Sequence, residues 1–139
     1  MSALPVAELA ADDCVLFLWT TWPEMQEALE LIPAWGFTYL SIAFVWVKLN
    51  RDGAPFLGLG RWTRGNTEPC PLATRGGPQR ISPFVSQLVF AEKGRHSEKP
   101  GEVRERIVEL VGDIPRIELF ARKSVPGWAS WGGELEESA

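Results

Sequence analysis

Two apolar runs joined by an amphipathic segment constrain the fold of this chain most. Residues 14–19 and 38–48 have the length and composition of buried strands, rich in aromatic and branched side chains. Between them, apolar residues recur at helical spacing after Thr21 and Pro23, which favour a helix start. A strand, a helix and a strand predict a right-handed βαβ unit. We therefore expect an α/β sandwich around a mainly parallel sheet.

We interpret the 139-residue chain as a single domain over residues 1–139, and the rest of the sequence predicts further elements. The pattern predicts helices over 4–10 and 102–110, strands over 86–91 and 115–121, and a loop-like tail over 122–139. Residues 49–83 hold six Gly, five Pro and five Arg, with one strand-like piece at 67–74. A connection this long is typical of a functional loop region.

Several classes of protein are excluded by the composition. No apolar run approaches the ~18 residues that a transmembrane helix needs, so we expect no membrane partner. The start of the chain is acidic without a basic residue, unlike a secretory signal or transit peptide. A cytoplasmic location is the resulting expectation.

The two cysteines, with His96 as a further soft ligand, have no metal-ligand spacing, so we expect no metal. Cys14 and Cys70 are interpreted as structural thiols of a reducing compartment. The alternative is a catalytic Cys70–His96 pair, which would need a third orienting residue that the spacing does not supply.

The net charge of −4 hides a strong pattern along the chain. Residues 1–47 have six acidic and no basic side chains, whereas residues 48–106 have eleven basic against six acidic, and residues 107–139 three against six. Phosphate contacts depend on local Lys and Arg, so a basic centre favours an anionic partner such as nucleic acid. Scattered surface charge is the alternative.

Candidate binding residues follow the predicted strands, because ligands of open α/β sheets bind beyond the carboxyl ends of the strands. Lys99 before a helix and Arg122 after a strand are held most firmly, and could bind a carboxylate and nucleoside hydroxyls. Trp62 lies between Arg61 and Arg64, an aromatic–basic pattern that suits an unstacked base. The lone Gly58–Gly60 pair lacks the context of a dinucleotide-binding fingerprint.

Six short segments together resemble one family over nearly the whole chain, from about residue 4 to residue 134. They are residues 15–19 (VLFLW), 34–37 (AWGF), 44–48 (FVWVK), 66–68 (NTE), 97–100 (SEKP) and 116–122 (RIELFAR). In this order they resemble the MT-A70 family of adenine-N6 methyltransferases, which use S-adenosylmethionine on DNA or RNA. The resemblance implies a Rossmann-like methyltransferase sandwich with permuted motif order, incomplete at the N-terminus.

The resemblance also implies roles for individual residues. Lys99 matches the lysine near the methionine carboxylate and the target base, and Arg122 matches the arginine at the cofactor ribose. Glu68 matches an acidic residue close to the target adenine. The basic stretch around Arg61, Trp62 and Arg64 occupies the position of a nucleic-acid-facing loop, with DNA favoured over RNA as the partner. Lys48, at the end of the second strand where this stretch begins, is a further candidate for substrate binding.

Two departures from the family pattern affect the expected activity. The catalytic Asp-Pro-Pro-Trp motif is absent, and Asp12 and Asp13 lack the following prolines and aromatic residue. The family's Gly-Asn-Glu or Gly-Asn-Gln is here Gly132-Gly133-Glu134, which loses an amide but keeps Glu134 as a cofactor-binding candidate.

We therefore expect this chain alone to be inactive and assign it no catalytic residue. Three hypotheses remain. The chain is an adenine methyltransferase whose missing strand comes from another chain or from further sequence, or it is a non-catalytic nucleic-acid-binding or partner subunit. The third hypothesis is a structural oligomer whose exposed sheet edge is covered by a second copy, and a homo- or hetero-oligomer is the resulting expectation for partners.

Overall fold

The computed structural model describes residues 5–94, 98–121 and 123–131. Within these ranges the chain forms three α-helices, one short 3-10 helix at Trp22–Glu24, and six strands. The helices are α1 (Val6–Leu9), α2 (Met25–Ala34) and α3 (Glu102–Val111). The strands are β1 (Cys14–Phe17), β2 (Thr38–Leu49), β3 (Thr67–Arg75), β4 (Leu88–Glu92), β5 (Ile117–Leu119) and β6 (Ala129–Trp131). The class is mixed α/β, as the sequence predicts.

The predicted strand–helix–strand unit is present, but its two strands are not neighbours. The order of the four-stranded sheet is β1-β3-β2-β4, so β3 lies between β1 and β2. Because β3 is antiparallel to both, β1 and β2 run in the same direction, with α2 as their connection. Gly36 follows the helix with φ of 86°, a conformation that glycine adopts without strain.

The expected mainly parallel sheet is not confirmed. Two of the three pairings between the described strands of this sheet are antiparallel, and only β2 with β4 is parallel. The physical reason is the connection over residues 50–66, which contains no described helix. Antiparallel strands need no helical crossover, so the chain returns beside β2 as β3.

β3 is a central strand with two prolines, a position that proline usually avoids. Pro69 and Pro71 accept hydrogen bonds from Thr20 N at 3.1 Å and Leu18 N at 3.0 Å, so both prolines face the segment that follows β1. Since proline has no N–H, Pro69 and Pro71 cannot donate hydrogen bonds back to the carbonyls of Thr20 and Leu18. The regular ladder of β1 therefore stops at Phe17 while its chain continues alongside β3.

Helices cover both faces of the sheet. One buried cluster joins α1 and α2 to one face of β1 and β3, and includes Val6, Ile32, Trp35, Phe37 and Ala73. A second cluster packs α3 against the other face. It includes Phe44, Trp46, Cys70, Val89 and Val103. These two layers of side chains form the core of an α/β sandwich.

β5 and β6 form a separate two-stranded parallel sheet, in which Ile117 pairs with Ala129. The sequence predicts β5, whereas β6 lies in the tail that we expected to be loop-like. Leu119 of β5 packs against the cluster around Ile32. Among the described residues, no helix has the length and apolar character required to cross a bilayer.

Candidate functional site

Three charged residues meet at the end of the sheet where β1 and β2 finish. Glu68 is the second residue of β3 and pairs in register with Trp46 of β2. Lys48 lies two positions further along β2, on the same face, and its Nζ is 3.0 Å from Glu68 Oε2. Lys99, from the segment before α3, donates to Glu68 Oε1. The structure therefore brings together three residues that the sequence singled out, and we call them the Lys–Glu–Lys cluster.

The electrostatics of this cluster favour an anionic ligand. Glu68 is buried, with 6% of its surface exposed, whereas the side chains of Lys48 and Lys99 are 23% and 30% exposed. A buried carboxylate needs such cationic partners, because its charge is otherwise poorly solvated. Two ammonium groups around one carboxylate leave an excess positive charge at a solvent-accessible edge. That charge could hold a carboxylate or phosphate.

Two tryptophans support the lysines. Lys99 Nζ lies 5.7 Å from the ring centre of Trp19, and Lys48 Nζ lies 5.3 Å from that of Trp46. The two indole rings pack edge to face with centroids 6.3 Å apart. Trp46 is further fixed because its indole N–H donates to Ala91 O at 3.0 Å.

Sequence reasoning missed Trp19 and Trp46 as members of the site. The signal was available in the period-2 alternation of a strand, which places Trp46 on the same face as Lys48. That signal does not bring Trp19 to Lys99, because their proximity depends on the order of strands in the sheet.

Cys70 lies inside the core two residues from Glu68 and is fully buried. Burial raises the pKa of this thiol well above its ordinary value, so it is held as the neutral thiol. A protonated, inaccessible thiol is a poor nucleophile, which favours the structural interpretation over the Cys70–His96 pair. His96 lies outside the described residues.

Residues 56–66 form a loop, here called the basic loop, whose two ends are both bonded to Lys48 of the Lys–Glu–Lys cluster. Phe56 N donates to Lys48 O at 2.8 Å, and Lys48 N donates to Asn66 O at 2.9 Å. Between these anchors Trp62 is 99% exposed, and Arg61 and Arg64 are exposed beside it. The loop therefore presents the aromatic–basic pattern to solvent on the same end of the molecule.

The glycine pair of this loop has a structural explanation. A Cβ at Gly58 would lie 2.0 Å from Gly65 O, and one at Gly60 would lie 2.0 Å from Thr63 O. Both glycines are required because the loop folds closely on itself. They are thus part of the loop geometry and not of a dinucleotide fingerprint.

A cleft of about 400 Å³, lined in part by Trp19, lies between residues 18–20 and α2. Its lining includes Glu24, Glu27 and Glu30 together with Leu31 and Ala34. Three carboxylates give this cleft the sign that repels an anionic ligand. The anion-binding candidate is therefore the Lys–Glu–Lys cluster.

Two of the predicted cofactor-binding residues, Arg122 and Glu134, lie outside the described residues. The neighbourhood of Arg122 is described as far as Phe120 and Ala121. Phe120 has a positive φ of 57°, which is uncommon for an aromatic residue. Its ring packs edge to face on Trp131 at 5.2 Å.

The fold and cluster define an α/β domain with a cationic site at the ends of parallel-running strands. The MT-A70 family model matches residues 1–134, and the chain belongs to the MT-A70 family. This finding confirms the resemblance found in the six sequence segments.

Named relatives agree with this assignment. The chain is 37% identical to the type II methyltransferase M.MunI of Mycoplasma sp, over 99% of this chain and 58% of that protein. It is 34% identical to the mouse N(6)-adenine-specific methyltransferase METTL4, over 95% of this chain and 31% of the relative. It is 31% identical to the human N(6)-adenosine-methyltransferase catalytic subunit METTL3, over 90% of this chain and 22% of the relative. The chain thus spans between about a fifth and three fifths of the length of these relatives.

Proposed function

We propose that this chain is the MT-A70 part of an adenine-N6 methyltransferase that transfers a methyl group from S-adenosylmethionine to adenine in nucleic acid. The observation that carries the proposal is the Lys–Glu–Lys cluster at the strand ends of a domain belonging to this family. We further propose that the mixed sheet is part of a Rossmann-like methyltransferase sandwich with permuted motif order.

The cofactor site that we propose is centred on Lys99. Its ammonium group is partly exposed beside the buried Glu68, and the excess positive charge of the cluster fits the methionine carboxylate of the cofactor. When bound, S-adenosylmethionine supplies an electrophilic methyl group on a sulfonium centre. By family resemblance, Arg122 would bind the ribose and Glu134 would complete the site.

The nucleic-acid contacts that we propose come from the basic loop and the cluster beneath it. Arg61 and Arg64 would bind phosphates, and the exposed ring of Trp62 would stack on an unpaired base. Lys48 and Glu68 would lie near the target adenine at the base of this loop. DNA is the favoured substrate.

Cofactor binding is tested by calorimetric titration of the chain with S-adenosylhomocysteine. We expect saturable binding that weakens by about tenfold or more in Lys99→Ala, because alanine cannot donate a charge-assisted hydrogen bond to the ligand carboxylate. Lys93→Ala is the matched control, since Lys93 also lies over an aromatic ring, that of Phe56, and makes no ion pair with Glu68 among the described contacts. No binding by the unmodified chain, or equal weakening in both variants, would contradict the proposed site.

Nucleic-acid binding is tested by fluorescence anisotropy with adenine-containing DNA and RNA at several salt concentrations. We expect the double variant Arg61→Glu/Arg64→Glu to bind more weakly and to lower the salt slope by about two, because each arginine would neutralise one phosphate. Arg51→Glu/Arg80→Glu is the control, because both arginines are exposed on the same basic stretch outside this loop. Identical salt slopes in the two double variants would overturn the role of the loop.

A second candidate function is a non-catalytic nucleic-acid-binding subunit, favoured by the absence of Asp-Pro-Pro-Trp from this sequence. The assay that separates the two uses labelled S-adenosylmethionine and adenine-containing oligonucleotides. Incorporation at adenine N6 by the chain would overturn the expectation that it is inactive alone. Retained binding of both ligands without incorporation would support the subunit.

An oligomeric partner is also part of the proposal. Within the described residues β1 pairs only with β3, so its other edge is open to pairing with another chain. METTL3 is itself named as a catalytic subunit. Sedimentation of the chain at increasing concentration tests whether copies of it cover this edge.

A further inference from the structure

We infer that Trp19 is a positioning residue for Lys99, setting where the lysine ammonium group stands before cofactor binds. The functional part of this inference rests on the proposed function, in which Lys99 contacts the cofactor carboxylate. Its structural part, the contact of a ring with an ammonium group, stands independently of that proposal.

The position of Trp19 is fixed from three directions. Its neighbours Leu18 and Thr20 are held to β3 through the bonds to Pro71 and Pro69. Its ring packs on Trp46, whose indole N–H is bonded to Ala91 O. A ring held in this way offers a rigid face to a flexible side chain.

Lys99 lies before the helix start that the sequence suggested would hold it firmly, but its ammonium group is fixed by side-chain contacts. It lies before α3, outside any helix or strand, and its side chain is 30% exposed. The side chain has four rotatable bonds and loses considerable entropy when held in one position. Contact with the Trp19 ring on one side and Glu68 on the other restricts the ammonium group to a narrow region.

The two lysines are held by equivalent devices. Lys48 lies over Trp46 as Lys99 lies over Trp19, and the two rings touch each other. The tryptophan pair therefore sets the spacing of the two ammonium groups around Glu68.

The structural part is tested by NMR of the chain labelled with 13C-lysine, which contains four lysines. An aromatic ring shifts the resonances of a group above its face upfield, and we expect such a shift for the ε-methylene of Lys99. Trp19→Leu should abolish it and Trp19→Phe should retain part of it. Lys93, above Phe56, serves as the internal reference whose shift should persist, because neither residue contacts the tryptophan pair in the described contacts.

The functional part is tested by titrating the same variants with S-adenosylhomocysteine. We expect Trp19→Leu to weaken binding about threefold to tenfold, the size of one cation–π contact, with Trp19→Phe close to the unmodified chain. Trp128→Leu is the matched control, because Trp128 lies under Arg116 and not under a lysine of the cluster. The double variant Trp19→Leu/Lys99→Ala should bind no more weakly than Lys99→Ala.

The outcomes separate the inference from the proposed function. If the unmodified chain does not bind S-adenosylhomocysteine while the Lys99 shift behaves as expected, the proposed function fails and the positioning contact stands. If the Lys99 resonance is the same in Trp19→Leu and the unmodified chain, the contact itself is refuted. If Trp19→Leu and Lys99→Ala weaken binding additively, Trp19 acts by another route and the positioning role is overturned.

Discussion

Glu68 is a buried carboxylate on a strand that packs against the core, and ion pairs stabilise its charge there. Its charge is matched by Lys48 from the neighbouring strand and by Lys99 from the segment before α3. Removing one ionic partner of a buried carboxylate generally lowers the free energy of unfolding by more than the ion pair itself contributed. The reason is that the remaining charge stays buried without a partner. The same residue therefore links the stability of the domain to its candidate site.

Cys70, two residues along the same strand, gives a prediction for the dependence of stability on pH. Burial keeps the pKa of this thiol above that of the unfolded chain, for which the ordinary value is 9.0. Above about pH 9 the unfolded chain loses a proton that the folded chain retains. The free energy of unfolding should therefore fall by up to about 1.4 kcal/mol per pH unit through this thiol.

The measurement is urea unfolding between pH 8 and 10.5 with reductant present. Cys70→Ala should show a shallower decrease with pH than the unmodified chain. Cys14→Ala is the comparison, since Cys14 is only partly buried although its pKa is also raised. A Cys70→Ala variant with an unchanged pH slope would contradict the prediction.

At the scale of elements, β4 lies at one edge of the sheet formed by the described strands, and one side chain partly covers its outer backbone. Arg106 of α3 donates to Ser86 O at 3.1 Å and Leu88 O at 2.6 Å, and is held by Glu102 at 3.1 Å. Successive carbonyls of a strand point in opposite directions. Because Gln87 O accepts from Val45 N of β2, the carbonyls of Ser86 and Leu88 point away from β2. Such capping hinders pairing with another strand.

Replacing Arg106 should therefore expose this edge. We expect Arg106→Met to lower the free energy of unfolding by about 1–2 kcal/mol, since methionine cannot donate the two hydrogen bonds to carbonyls. We also expect this variant to self-associate as its concentration rises. Urea unfolding and analytical ultracentrifugation measure the two effects. Arg80→Met is the control because Arg80 is exposed, and equal behaviour of the two variants would show that Arg106 does not protect the edge.

At the scale of the whole molecule, one ion pair connects α3 to the small sheet of β5 and β6. Arg104 bonds Glu118 through two nitrogens, Nε at 2.9 Å and Nη2 at 2.7 Å. The side chains are 18% and 29% exposed, which shields the pair from solvent and salt more than a surface pair. A bidentate geometry of this kind fixes orientation as well as distance.

A double-mutant cycle with Arg104→Ala and Glu118→Ala should give a coupling free energy of about 1 kcal/mol, since the pair is only partly buried. Arg116 with Asp113 provides the comparison cycle, because Asp113 is 87% exposed and its coupling should be smaller. The Ala121 amide donates to Trp131 O, and its hydrogen exchange should be faster in Arg104→Ala and Glu118→Ala than in the unmodified chain. Equal coupling in both cycles would remove the assigned role of Arg104.

Much of the fold could be predicted because its signals are local. The apolar runs gave β1 and β2, the helical spacing gave α2 and α3, and the strand-like piece at 67–74 became β3. β6 was missed because three residues have no measurable periodicity and form a strand only beside β5. The mixed sheet was missed because strand order depends on long-range pairing that no local pattern encodes.

The sequence by itself determined most of the secondary structure, the basic loop and the chemical identity of Lys48, Glu68 and Lys99. The tertiary structure decided that these residues meet, since Glu68 lies beside Lys48 only because β3 pairs with β2 in this register. It also placed Trp19 under Lys99, although the two are far apart along the chain. Hydropathy fixes which face of a strand is buried, but only the pairing of strands fixes which buried faces become neighbours.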